Sequence, residues 1–236
     1  MTTTNLDVLA YEKSPIGMIC LRRRELVSSP GTIITEITVD HELLMSSYHT
    51  DSERALSSCA LERYLACHDG RDLSVLVGGL GLGYTAQEAL RFSSVSRVDV
   101  VEYLPQVVDW MRKGLVPLSD ALNGDSRCRL IQADVYAMLA AVPERQYDLI
   151  LIDVDHSPDE RLGAENAAFY TRSGLELAKR HLTPGGLLGV WSYAENSPFA
   201  EALGTAFSTV DVVPVHFENE VAAESETNWI FLAMDA

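Results

Sequence analysis

At 236 residues, 47% of them hydrophobic and 22% charged, the chain is long enough for one full α/β domain with a small appendage. A formal net charge of −16 would repel a phosphate backbone and argues against a nucleic-acid partner. No apolar run approaches the roughly 20 residues that cross a bilayer, so no membrane partner is expected. Composition alone reads the acidic surface as a solubilising shell, and a charge of this sign also suits a cationic substrate such as an amine. "MTTTNLDVLAYEKSPIG" has no basic patch followed by an apolar core, so no signal peptide is expected. Cys20, Cys59, Cys67 and Cys128 are scattered without zinc-ligand spacing. They are expected as buried thiols in a reducing cytoplasm, with no metal.

Residues 1–50 predict a small β subdomain. "MICLRRREL", "GTIITEITVD" and "HELLMSSYH" are extended pieces rich in β-branched and apolar residues, with a Ser-Ser-Pro-Gly turn after the first. Residues 51–236 predict the main domain. "TDSERALSSCALERYLA" opens with capping residues and an acidic first turn, and Ala55, Leu56, Cys59, Ala60 and Leu65 lie near one helical face. Strand and helix then alternate: "LSVLVGG" and "TAQEALRF", "RVDVVEY" and "PQVVDWMRKGL", "RCRLIQAD" and "VYAMLAAV". "YDLILIDVD" leads to a helix over "NAAFYTRSGLELAKRHL", and a Pro-Gly-Gly turn precedes strand "LLGVWSY" and helix "PFAEALGTAF". "VDVVPVHF" and "TNWIFLAMD" close the chain as an antiparallel pair. Near-continuous apolar strands alternating with helices predict a mostly parallel sheet covered on both faces, with ligands at the carboxyl ends of its strands.

Those ends carry the chemistry. Gly78 and Gly79 end a buried strand, and Gly81 and Gly83 lead into a helix, a pattern that lets a ligand lie against bare main chain. The spacing is G-x-G-x-G rather than the dinucleotide G-x-G-x-x-G. Glu102 follows about twenty residues on, where a carboxylate can accept both ribose hydroxyls. Asp134 stands where an acceptor can meet an adenine amino group, beside apolar Val135. Asp153 ends the next strand, with Asp155 and His156 beyond it. Taken singly, each acid reads as a cap or loop residue. Together, on adjacent strands, they favour an adenosine site.

Here the chain resembles the class I S-adenosylmethionine-dependent transferases, and within them the spermidine-synthase branch. The segments that carry the resemblance are "ITVDHELLMSSYHTDSERALSSCAL", "VLVGGLGLGYT", "VDVVE", "QADVYAML", "YDLILIDVDHSP" and "LTPGGLLGVWS". The likeness implies a Rossmann-like α/β fold with an antiparallel C-terminal strand. It also implies that Gly79, Gly81 and Gly83 line the methionine-ribose part of the donor, that Glu102 (with Tyr103 beside it) holds the ribose, and that Asp134 and Val135 meet the adenine. Asp153 matches the catalytic acid position, and Asp155 and His156 complete the candidate catalytic cluster. A homodimer through the N-terminal strands is an arrangement open to such a chain.

The departures direct the expected chemistry. Polyamine aminopropyltransferases carry an aspartate in the glycine loop for the donor's ammonium, and this loop offers only Gly81 and Leu82. "DSERAL" lacks the branch's tyrosine, and His156 stands where a second acid is expected. An ammonium leaving water needs carboxylates to replace its hydration. The sequence therefore favours methyl transfer from S-adenosylmethionine to a small amine over aminopropyl transfer from decarboxylated S-adenosylmethionine. A nicotinamide-dependent oxidoreductase and a catalytically silent nucleoside-binding relative are the rival readings. Tyr48, His49 and "LLMSS" are expected over the pocket. Trp191, Ser192 and Tyr193 end the next core strand as a possible acceptor wall, with Trp191 assigned to the core alongside Trp110 and Trp229.

Overall fold

The structure, a computed structural model, describes residues 6–154, 156–160, 164–219 and 224–235. Two sheets organise it. The first is antiparallel, in the order β1 (Leu6–Ser14), β2 (Gly17–Glu25), β3 (Ile33–Val39), β4 (Glu42–Ser46). The second has seven strands in the order β10-β11-β9-β8-β5-β6-β7. Its members are β5 (Leu73–Gly78), β6 (Val95–Glu102), β7 (Cys128–Gln132), β8 (Tyr147–Ile152), β9 (Leu182–Ser192), β10 (Thr209–Asn219) and β11 (Glu224–Met234). Strands β9, β8, β5, β6 and β7 run parallel, and β11 pairs antiparallel with both β9 and β10. No helix among the described residues is long and apolar enough to cross a membrane.

The apolar runs "LSVLVG" and "YDLILI" become central strands because helices cover both sheet faces. Helix α1 (Asp51–Leu65) buries Leu56, Ala60, Leu61 and Tyr64, while Ala55, Cys59 and Leu65 of the expected face stay half-buried. Ile19, Leu21 and Ile37 of the first sheet join the same core as Leu56, Val75 and Trp110. Polar contacts lock that sheet down. The indole of Trp110, on α3 (Pro105–Arg112), donates to Glu12 Oε1 at 3.0 Å, and Arg23 donates to the Leu115 carbonyl at 3.0 Å.

The basic triplet Arg22-Arg23-Arg24 is therefore structural. Arg22 and Arg24 straddle Glu36 at 2.8 and 2.7 Å on one face of the sheet, while Arg23 serves the other. Burial raises the pKa of Glu36, and the two guanidiniums more than offset it, holding the carboxylate below its ordinary range.

Several expected boundaries move. Strand β1 and helix α4 (Ser119–Gly124) were not resolved as separate elements by hydrophobic pattern. The single helix expected over residues 166–182 is a 3-10 turn at Ala164–Ala168 and then a shorter α6 (Arg172–Lys179). Thr171 causes the break: its hydroxyl accepts from Gly174 N at 3.2 Å and caps a new helix. Gly174 is required there, since a Cβ would lie 2.0 Å from the Ala168 carbonyl oxygen. The Pro-Gly-Gly segment is not a turn before β9 but lies within it, where the pairing with β8 shifts register.

Candidate active site

Three hydrogen bonds gather the strand ends into one edge. Asp153 N donates to Gly78 O at 2.8 Å, Gly79 N to Val101 O at 2.9 Å, and Ala133 N to Glu102 O at 3.0 Å. They bring the glycine turn, Glu102, Asp134 and Asp153 around one cavity of about 270 Å³. Its wall includes Gly79, Gly81, Gly83, Glu102, Tyr103, Asp134, Val135, Asp153 and His156, so the sequence-derived candidates converge. Asp155 lies outside the described residues.

The glycines divide into two kinds. Gly79 (φ 96°) abuts main chain, for a Cβ there would sit 2.0 Å from the Asp153 carbonyl oxygen. At Gly83 (φ 95°) a Cβ would meet Leu122 of α4 at 2.5 Å, so that glycine also serves the packing of α2 (Tyr84–Leu90). Gly81 (φ 52°) instead faces a side chain, with Met45 Sδ at 2.8 Å from its would-be Cβ.

The acids are held by backbone as well as facing the cavity. Glu102 Oε2 accepts from Leu80 N at 2.9 Å and Oε1 from Leu104 N at 2.8 Å, stapling the glycine turn to the β6–α3 junction. Burial pushes its pKa up, and the backbone N–H groups of Leu104, Leu80, Gly81 and Tyr103 pull it back only in part. Asp134 caps α5 (Val135–Ala140), its Oδ1 accepting from Tyr136 N at 2.8 Å and Ala137 N at 3.1 Å. Asp153, half-buried in the wall, accepts from Thr85 Oγ1 at 2.5 Å. His156 contributes its carbonyl to Tyr193 N at 2.9 Å.

Sequence reasoning missed Glu53, which also lines the cavity. Burial and the nearby Asp153 charge raise the Glu53 pKa, and burial raises that of Asp153. The signal was present: Glu53, Leu56, Ala60 and Tyr64 fall on one helical stripe, so an acid stands where an apolar residue belongs. From the first sheet the wall receives Leu44, Met45 and Ser46 rather than Tyr48 and His49; the His49 ring instead packs against Tyr48 and Phe217. Trp191 also lines the cavity instead of sitting wholly in the core, and its indole N–H is buried with no hydrogen-bond partner among the described residues. Trp110 is fully buried, as expected.

The pair of raised carboxyls sets a pH dependence. Folding favours their protonated forms, so their contribution to stability is full below the ordinary carboxylate range of about 4 and is lost as pH rises through the raised values. The melting temperature of the ligand-free wild type is therefore expected to fall more steeply from about pH 4.5 to 8 than that of Glu53→Gln. Parallel melting curves across that range would remove the raised pKa.

The geometry has relatives. Residues 61–216 match the spermine/spermidine synthase domain family. The chain is 31% identical over 176 residues to polyamine aminopropyltransferase 2 of Pseudomonas aeruginosa, covering 71% of this chain and 47% of that protein. It is 33% identical over 114 residues to putrescine N-methyltransferase 2 of Nicotiana attenuata, covering 48% of this chain and 29% of that one. A spermidine synthase solved in complex with the transition-state analogue AdoDATO superimposes over 97% of this chain and 74% of its own, with a TM-score of 0.74. At 18% identity that likeness speaks for the Rossmann-like fold alone. The chain spans between 24% and 63% of the length of the curated aminopropyltransferases it matches. With two-thirds of its residues inside the matched domain, the chain belongs to the spermine/spermidine synthase family.

Proposed function

We propose that the protein transfers an aminopropyl group from decarboxylated S-adenosylmethionine to a small amine. One observation carries the reading. The cavity wall presents four carboxylates, Glu53, Glu102, Asp134 and Asp153, and among the described residues no lysine or arginine. A donor that kept its own carboxylate would add another acid to a wall without a cationic partner, whereas a decarboxylated donor and an amine acceptor bring positive charge. Helix α2 has only seven residues and gives the carboxylate little in compensation. This reverses the preference for methyl transfer drawn from the sequence, which rested on the acid missing from the glycine loop and the second acid replaced by His156, and did not count Glu53. The aminopropyltransferase relatives support the reversal; the putrescine N-methyltransferase supports the amine acceptor.

The residues fit such a donor. Gly79 and Gly81 line the cavity, lone pairs remaining on Glu102 suit the ribose, and Val135 beside Asp134 suits the adenine. When bound, the donor supplies a sulfonium-activated carbon: the amine nitrogen bonds to it, the C–S bond breaks with its electron pair left on sulfur, and a proton leaves the nitrogen. Asp153 orients the acceptor amine and takes that proton, with Thr85 fixing its carboxylate. Its raised pKa places it nearer the operating pH than an ordinary aspartate.

Calorimetry with the two donors tests the reading. The decarboxylated donor is expected to bind at least about tenfold more tightly, a difference of about 1.4 kcal/mol. Equal affinity, or preference for the carboxylated donor, would restore methyl transfer.

A further inference from the structure

Resting on that reading, we infer that Glu53 holds the ammonium at the end of the donor's aminopropyl arm, a task for which Gly81 offers no side chain. The tip of the glycine turn is closed. Met45, the fourth residue of β4, lays its thioether where a Gly81 Cβ would be, at 2.8 Å from sulfur and 3.2 Å from Cε. An acid at position 81 would have to displace that thioether before reaching the cavity. The neighbouring position offers nothing polar either, for Leu82 is a buried apolar side chain in the same wall.

Glu53 enters the same cavity from the first turn of α1 and is prepared for a cation. Its carboxylate accepts from Ser52 Oγ at 3.0 Å, and Ser52 in turn accepts from Asn228 Nδ2 of β11 at 2.9 Å. The next residue, Arg54, is engaged elsewhere: it pairs with Glu88 at 3.2 Å, donates to Gln87 at 2.9 Å, and its guanidinium lies 4.9 Å from the centre of the Tyr84 ring. Among the described residues neither Glu53 nor Asp153 has a basic side chain within ion-pair distance, so their carboxylates face the cavity without a resident countercharge. A cationic arm supplies it. Two carboxylates in one wall also divide the work: Asp153, against Thr85, serves the reacting amine, and Glu53, against Ser52, serves the arm.

Paired ligands test the assignment. 5′-Methylthioadenosine carries the adenine and ribose of the donor but no ammonium. Calorimetry should show Glu53→Gln weakening decarboxylated S-adenosylmethionine by about 10- to 100-fold, the range for a lost charge-assisted hydrogen bond, with 5′-methylthioadenosine changed by less than about twofold. The unchanged thioether also certifies that the variant folds. Equal losses on both ligands, or none, overturn the role of Glu53. A wild type that prefers the decarboxylated donor while the variant keeps that preference overturns this assignment alone; a wild type without the preference overturns the donor reading itself. The wild type gives a second measure, because its selectivity for the cationic ligand over the thioether should grow as pH rises from about 5 to 8 and the wall ionises. A flat ratio across that range overturns the proposal.

Discussion

Asp153→Asn is expected to lower kcat by about 10²- to 10⁴-fold, the span that a positioned acid–base group contributes. At the end of β8, Asp153 N is fixed to Gly78 O at 2.8 Å and the carboxylate accepts from Thr85 at 2.5 Å. An asparagine keeps the shape and can still accept from Thr85, but it cannot take the proton released by the attacking amine. The loss should therefore fall on kcat, with KM for the donor changed by less than about threefold, as for an interaction made only in the transition state. The acidic limb of the wild-type pH–rate profile should flatten in the variant, because the group that must ionise has gone. Unchanged turnover would remove Asp153 from the chemistry and leave it as a loop anchor.

The second large effect is expected at Gly79→Ala, and it is one of stability. The new methyl would stand 2.0 Å from the Asp153 carbonyl oxygen at a backbone φ of 96°. Backbone cannot swing aside as a side chain can. Strain at such a φ costs about 1–3 kcal/mol and overpacking a similar amount. Together they should lower the melting temperature by about 10 °C, at the 2–4 °C per kcal/mol usual for chains of this size. Gly81→Ala is the internal comparison. Its φ of 52° is the left-handed value that other residues occasionally adopt, and its obstacle is the flexible end of Met45. The drop there should be less than half as large. Equal drops would show that the two glycines are alike in what they require.

Much of the fold was legible because strands buried on both faces must be apolar throughout. "LSVLVG" and "YDLILI" admit few other readings once helical stretches separate them. The strand-end carboxylates were legible for a related reason, since an acid that closes an apolar run marks the rim of a parallel sheet. What escaped was decided by contacts between distant segments. The break before Arg172 depends on Gly174 meeting the Ala168 carbonyl, which periodicity cannot register. The Pro-Gly-Gly segment looked like a turn by composition, yet pairing with β8 draws it into a strand. Trp191 looked like core because large aromatics usually are, and only the strand register sets it at the cavity.

The same limit shaped the chemistry. Two acids are absent from the positions where the branch carries them, one in the glycine loop and one at His156, and neither position reveals an acid supplied by another element. Glu53 reaches the cavity from thirty residues upstream, through the packing of α1 across the sheet. Its place on the buried stripe was visible, but its destination required the fold. Tyr48 and His49 are the opposite case: near in sequence to the wall, they lie outside it, the His49 ring packing between Tyr48 and Phe217.

Strand β11 follows every other described strand in the chain, yet it lies inside the sheet, between β9 and β10. During synthesis the ribosome therefore releases β9 before its partner β11, with the N–H and C=O groups along one edge unpaired. That edge is an invitation to misassociate until residues 224–234 emerge and slot in. Interrupting residues 224–234 by a nonsense mutation or a proteolytic cut should yield insoluble protein rather than a folded, slightly shortened chain.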